Sequence, residues 1–207
     1  VGSEMCIRDR FITGDEISEV IGSTMETVIK ERVILESSGG EISGHGAATS
    51  QQKGASTVDD IVLFVAKMAS GALATFEATR LSTGYKNANR LEIHGELGAI
   101  RFNFERMNEL DWYDATLPAE LQGWNTINVT DGNANHPYAA SWWSTAHILG
   151  YEHSFINQAA DMLTVIGGGE PVVPLADFAD AYKVQRVLSA VVESDKQRSP
   201  IPLDQIQ

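Results

Sequence analysis

The stretch FEATRLSTGYKNANRLEIHGELGAIRFNFERMNELDWY, residues 76–113, decides how this chain folds. Apolar, β-branched and aromatic residues alternate in it with polar ones, the period of strands that bury one face. The turn Gly95-Glu96-Leu97-Gly98 separates two such runs. Strands are expected at Arg90–His94, Ala99–Phe104 and Glu109–Tyr113, crossing a sheet side by side. Connections this short join antiparallel neighbours.

Upstream, DIVLFVAKMA at Asp60–Ala69 is almost continuously apolar and reads as a buried strand. Ser70 and Gly71 turn it back into Ala72–Arg80, which alternates. Glu16–Ile29 reads as a strand interrupted at Gly22. Between them, Lys30–Thr57 is rich in Gly, Ser, Ala and Gln, a long excursion with strand-like residues at Val33–Leu35. Downstream, Leu117–Gly123 and Asp131–Ala140 read as loops around a short strand at Thr126–Thr130.

Two helices close the chain. Tyr151–Ile166 sets Tyr151, Phe155, Ile156, Ala159, Met162, Leu163 and Ile166 on one face, which is expected to point inward. Gly167–Gly169 stops it. Pro174–Ser194 sets Leu175, Phe178, Ala181, Tyr182, Val184, Val187, Leu188 and Val191 inward, with Pro174 at the start and Pro200 beyond the end. Strands first and helices last predict an α+β fold, an open, mostly antiparallel sheet packed against helices.

Composition narrows the function. The 207 residues are 43% hydrophobic and 21% charged, enough for one large domain with a core or for two small ones. A net charge of −13 argues against a nucleic-acid partner, which needs clustered Lys and Arg. No apolar run approaches the ~20 residues of a membrane span. The single cysteine, Cys6, excludes an internal disulfide framework and fits a reducing compartment such as the cytoplasm. The first ten residues, VGSEMCIRDR, resemble translated adapter sequence found on unrelated environmental proteins. They are read as a foreign tail, with the native domain at 11–207.

No sequence motif supplies a complete chemistry. Gly44-His45-Gly46 lacks a third glycine and a following helix, so it reads as a flexible loop and not a dinucleotide cradle. The five histidines form no HExxH pattern and no tight cluster with carboxylates, so no metal is expected. No GxSxG elbow favours a serine hydrolase. His147 and His153 bracket the junction AHILGYEHSF, where a helix begins. Two readings stand for His153: an imidazole that bonds a sugar hydroxyl, or a local cap. Lys86 and Asn87 lie in a turn after a buried strand, where they either bind hydroxyls or form a solvated tip. Trp142-Trp143 reads equally as a sugar-stacking wall or as core and contact residues.

A series of segments carries a family resemblance: FITGDEISEV at 11–20, Glu31-Arg32-Val33, Thr57–Asp60, ATFEATRLSTGYKNANRLEIHGELGAIRF at 74–102, FERMNEL at 104–110, HILGYEHSF at 147–155, both helices, and IPL at 201–203. In that order they resemble the second, substrate-side domain of the Gfo/Idh/MocA oxidoreductases. The resemblance implies a C-terminal α+β domain behind a Rossmann domain, NAD or NADP in the full-length enzyme, a sugar or polyol substrate, and a homo-oligomer formed through the open sheet face. It raises Lys86, Asn87, His147 and His153 to substrate-pocket positions. Family members use a Lys-Pro lysine and a later Asp/His motif for proton transfer. Lys-Pro does not occur here, and VGSEMCIRDR stands where the Asp/His motif belongs. No catalytic residue is therefore carried over. The chain alone is expected to be a truncated enzyme that neither binds the cofactor nor turns over. A non-catalytic carbohydrate-binding or oligomerisation module is the alternative.

Overall fold

The structure, a computed structural model, describes residues 9–34, 52–131 and 136–206. The residues before Asp9, the Gly44-His45-Gly46 loop and Leu35 lie outside the described residues. The chain divides into two compact units, Val1–Thr83 with Ala179–Gln207, and Gly84–Phe178. The α+β class is as expected, but the strands form two four-stranded antiparallel sheets and a hairpin, and the 76–113 block is shared between the sheets.

The first unit begins with a short helix α1 over residues 9–13, which sequence periodicity did not reveal. Strands β1 (Ile17–Glu26), β4 (Ile61–Met68) and β5 (Leu73–Thr79) follow, with β2 (Glu31–Val33) and β3 (Lys53–Ala55) forming a separate hairpin. The sheet order is β10-β1-β4-β5, where β10 is Ile201–Pro202. Strand β1 runs on past Gly22, and its register against β4 shifts between Val20 and Gly22, so the expected interruption is a bulge. Helix α3, Phe178–Gln197, starts four residues later than Pro174 and covers one face of the sheet. Val184, Val187, Ala190 and Val191 pack there with Ile17, Val20, Val62, Phe64, Met68, Phe76 and Ile201. Phe64 and Phe76 are cross-strand partners whose rings stack 4.4 Å apart.

Strand β4 is buried on one face only. Val62, Phe64, Ala66 and Met68 point into the core, while Leu63, Val65 and, on β5, Leu73 lie exposed on the other. The continuous apolar run thus serves two surfaces, only one of which a helix of this unit covers. Among the residues expected inward on α3, Phe178 and Tyr182 are exposed, because the core contact begins a turn later, at Val184.

A buried ion cluster fixes α1. Arg10, only 7% exposed, donates to both oxygens of Glu16 at 2.6 and 2.9 Å and to Asp180 of α3 at 2.6 Å. Lys183 adds a 2.8 Å contact to Glu16. The Arg10 hydrogen bonds, then Lys183, hold the Glu16 carboxyl at about 2. At β4, the fully buried Asp60 accepts from the backbone of Ile29 at 2.8 Å and from Arg32. That carboxylate ties the β2–β3 hairpin to the sheet.

The second unit holds β6 (Arg90–His94), β7 (Gly98–Asn103), β8 (Glu109–Asp114) and β9 (Trp124–Asn128) in sequential antiparallel order. The last lies two residues before the expected Thr126–Thr130. Gly98 is required where β7 meets β8, since a Cβ there would collide with the Tyr113 carbonyl. The register places Leu91, Ile93, Ile100, Phe102, Leu110, Trp112 and Ile127 on one face. Glu92, Arg101, Asp111 and Thr126 lie on the other, where Arg101 bonds Asp111 at 2.8 Å and lies over the Trp124 ring.

Helix α2 keeps its expected span, Tyr151–Ile166, but its orientation reverses the expectation. Tyr151, Phe155, Ile156, Met162, Leu163 and Ile166 are exposed, and the one fully buried residue of the helix is Asp161. The covered side carries His153, Asn157 and Asp161, spaced four residues apart and hence aligned on one face. Residues 138–142 and 172–173 take the place of a core against it, through the bonds described below.

Two outcomes follow for stability. Leu163→Glu and Ile166→Glu are each expected to change unfolding free energy by less than about 0.5 kcal/mol in urea titrations, against about 2 kcal/mol lost for Val187→Ala in α3. A loss of ~2 kcal/mol at Leu163 would show that its face is covered. Because the Glu16 value is depressed in the fold, its stabilisation is complete above its ordinary value near 4.5 and disappears as pH falls through about 2. Arg10→Gln should melt below the parent at pH 7, by about 1 kcal/mol given the half-exposed Glu16. Thermal melts should show that gap narrowing on acidification, and a gap independent of pH would refute the assignment.

Candidate functional site

Of the four sequence candidates, His153 lies in the first turn of α2, while Lys86, Asn87 and His147 stand in loops of the second unit. Lys86 and Asn87 are exposed, in the turn before β6. Their backbone N–H groups both donate to one oxygen of Glu105, each at 2.9 Å. Those two bonds, the Asn87 one first, lower the Glu105 pKa. Glu105 sits in a single helical turn, Phe104–Arg106, capped by the side chain of Asn103. The turn is therefore shaped by main-chain groups, leaving the identities of the 86 and 87 side chains outside its hydrogen bonding.

The neighbouring residue connects this turn to α2. The Phe104 ring meets Tyr151, the first residue of α2, edge-on at 5.6 Å. Four residues further along, Asn108 pairs its side-chain amide with the backbone of Leu149, donating to the carbonyl and accepting the N–H, both at 2.9 Å. An asparagine used in this way imitates one rung of a β ladder. It pins the approach to α2 at buried Leu149.

His147 stands in that approach. Its Nδ1 lies 3.0 Å from the Ser144 carbonyl and 3.2 Å from the Ser144 hydroxyl, so the ring belongs to its own turn. The preceding Ala146 has φ of 67°, a left-handed conformation that costs a non-glycine residue about 1 kcal/mol. Contacts to β9's flank hold it there: Ala146 donates to the Thr130 carbonyl at 3.3 Å and Thr145 to Asp131 at 3.1 Å. A maintained strain of this kind beside a candidate ligand group favours a positional role for the loop.

His153 is the most constrained candidate, with its side chain only 13% exposed. Its Nδ1 accepts the backbone N–H of Gly150 at 3.0 Å, closing the first turn of α2 as a cap. The Trp142 indole meets the imidazole edge-on at 4.4 Å, and its Nε1 donates to Asn157 at 2.8 Å. The local-cap reading thus accounts for Nδ1. Among the described residues Nε2 has no hydrogen-bond partner, and it is not among the buried unpartnered atoms. Of the tryptophan pair, Trp142 is a packing residue, and Trp143 is 53% exposed.

Asp161 completes the line. It accepts from the Tyr138 hydroxyl, from the Val172 N–H at 2.9 Å and from the Val173 N–H at 3.4 Å. Burial, helped by the Asp161 charge, pushes the Tyr138 phenol up to about 12, and the Tyr138 bond pulls Asp161 down. Nearby, His136 accepts the N–H groups of Tyr138 and Ala139 at 3.3 and 3.1 Å, and burial lowers its pKa. None of these partners was singled out by sequence reading, although His153, Asn157 and Asp161 at four-residue spacing were a legible polar stripe. Glu105 and Asn108 had no such signal, since their roles depend on main-chain groups brought near by folding.

The structure brings Lys86 and Asn87 together on Glu105, and joins that turn to the start of α2 through Phe104 and Tyr151. It does not bond His147 to His153. Among the described residues no group of His, Cys, Asp and Glu side chains is arranged to hold a metal ion, and no helix is long and apolar enough to cross a membrane.

Comparison with known proteins places this geometry in a family. Residues 10–101 match the GFO/IDH/MocA C-terminal domain. Over 198 residues, 95% of the chain, the sequence is 34% identical to levoglucosan dehydrogenase of Pseudarthrobacter phenanthrenivorans and covers 49% of it. Among solved structures, an oxidoreductase domain protein from Kribbella flavida is 42% identical with a TM-score of 0.83, matching 97% of this chain and 49% of its own. Levoglucosan dehydrogenase in complex with NADH and levoglucosan is 32% identical with a TM-score of 0.81, over 99% of this chain and 49% of its own. The chain spans about half the length of these relatives. By sequence and by fold, the chain belongs to the GFO/IDH/MocA family, of which it carries the C-terminal domain.

Proposed function

We propose that this domain is the substrate-binding and oligomerising part of a cytoplasmic NAD(P)-dependent dehydrogenase that oxidises a CH–OH group of a sugar or polyol. The single observation that carries the reading is the 34% identity maintained over 198 residues with a levoglucosan dehydrogenase. In this reading the nicotinamide cofactor supplies the hydride chemistry and sits on the other half of the full-length enzyme. The present chain contributes hydroxyl-binding groups: Lys86 and Asn87 from the turn held by Glu105, His147 from the strained loop, and His153 from the first turn of α2. Lys and imidazole N–H donate to sugar oxygens, while the Asn87 amide can donate and accept. The exposed Leu63, Val65 and Leu73 on the outer face of the first sheet support self-association through that face.

The chain by itself is proposed to lack turnover and tight cofactor binding. Titrating it with NADH and following nicotinamide fluorescence is expected to give no saturable change at micromolar concentration, and a micromolar Kd would overturn this. Levoglucosan, added to the isotope-labelled chain at millimolar concentration, should shift amide resonances of residues 85–88 and 147–154. Shifts confined to other residues would remove the four assignments. Lys86→Ala and His153→Gln are each expected to weaken the sugar contact by about tenfold, the loss of one hydrogen bond to a charged or partly buried group.

A further inference from the structure

The His153 imidazole is held more completely than a helix cap requires. Two groups meet it, and a third holds one of them. The Gly150 N–H occupies Nδ1 at 3.0 Å. The Trp142 ring stands edge-on to the imidazole at 4.4 Å with an interplanar angle of 81°. Asn157, one turn along α2, anchors that indole through a 2.8 Å bond from Nε1. A backbone amide is always a donor, so Nδ1 cannot carry a proton while accepting from it. The ring hydrogen is then on Nε2, the nitrogen with no partner among the described residues.

We propose that Trp142 is a positioning residue that, with Asn157, aims the Nε2–H of His153 as a fixed hydrogen-bond donor toward a hydroxyl or ring oxygen of the bound sugar. The inference rests on the substrate-binding reading of His153 and adds to it the donor atom, its tautomer and the residues that orient it. One competing contact exists: Glu152 Oε1 lies 3.3 Å from Nδ1. That contact requires an Nδ1 proton, which would break the shorter bond from Gly150, and Glu152 is 70% exposed. A water-facing carboxylate loses to a backbone amide that is already covered. The second ring nitrogen being fixed by the partner of the first is the general way in which histidine roles are set.

The design differs from a chance ring contact in its tether. An indole lying on an imidazole by packing alone would leave its own N–H to solvent. Here the N–H is bound to the same helix that carries His153, four residues on, so the indole and the imidazole move with α2 as one body. A sugar approaching the helix start meets a donor that needs no ordering on binding, which lowers the entropic cost of each bond formed.

The test uses the 207-residue chain labelled with ¹⁵N and reads the imidazole nitrogens by long-range proton–nitrogen correlation, with His153→Gln identifying the resonance. The parent is expected to show Nε2 protonated and Nδ1 unprotonated at pH 7, unchanged in Glu152→Gln. Trp142→Ala is expected to move both nitrogen signals toward the tautomeric average, and Trp142→Phe, which keeps a ring but loses the bond to Asn157, to move them only part of the way. Asn157→Ala should loosen the ring in the same direction and stands in if Trp142→Ala does not fold. A protonated Nδ1 in the parent, or imidazole signals untouched by both Trp142→Ala and Asn157→Ala, would sink the proposal.

Levoglucosan then serves as the probe. Trp142→Ala should weaken its binding several-fold in the parent background and have no further effect in His153→Gln, a coupling that general destabilisation does not produce. Equal weakening in both backgrounds overturns the positioning role. Should the sugar fail to bind the parent while the tautomer is fixed as described, the substrate reading falls and the orientation of His153 by Trp142 stands.

Discussion

A buried carboxylate determines which side of α2 faces the protein. Asp161 has nowhere to go but inward, since it accepts from a phenol and from two successive backbone N–H groups. A charge removed from water must be repaid by such donors or the helix would rotate it back out. Once Asp161 is placed, Asn157 and His153 are carried to the same side by the helical repeat. The tryptophan, the cap at Gly150 and the fixed imidazole are consequences of that one placement. So is the exposure of the apolar face from Tyr151 to Ile166.

That arrangement explains what could and could not be read from the amino-acid order. Strands from Ile61 to Asp114 follow alternation and turn chemistry within a residue or two, because local pattern and tertiary role agree there. The ends of α2 were legible for the same reason. Its facing was not: seven apolar residues at helical spacing argue for an inward stripe, and only folding reveals that hydrogen-bond donors await the opposite side. The start of α3 moved from Pro174 to Phe178. A proline permits a helix start but does not compel one. Of the candidate residues, the positions at the turn before β6 and at the start of α2 were legible, and their hydrogen-bond partners were not. The fold shows His153 Nδ1 engaged as a cap, and Trp142 packed edge-on against the imidazole.

The first unit is organised by a different economy of charge. Arg10 enters the interior only because two carboxylates from separate elements meet its guanidinium, and the pairing joins α1, the lead into β1 and the first turn of α3. Asp60 performs the matching task at the other end of the sheet, where its carboxylate takes an N–H from the chain leaving β1 and the Arg32 side chain. The aliphatic core between them is continuous across β1, β4, β5 and α3. Hydrophobic burial stabilises the layer, and the ion pairs at its edges settle where α1 and the β2–β3 hairpin are attached.

The turn at Lys86 and Asn87 has a consequence for how such a domain diversifies. Glu105 grips the two main-chain amides and makes no hydrogen bond to the side chains beyond them. Almost any pair of residues can occupy positions 86 and 87 and leave the loop in the same shape. Fold stability and the proposed sugar contacts are thereby uncoupled at this spot. A lineage can exchange the chemical groups offered there, one substitution at a time, without passing through a misfolded intermediate, so long as the glutamate that holds the backbone is kept.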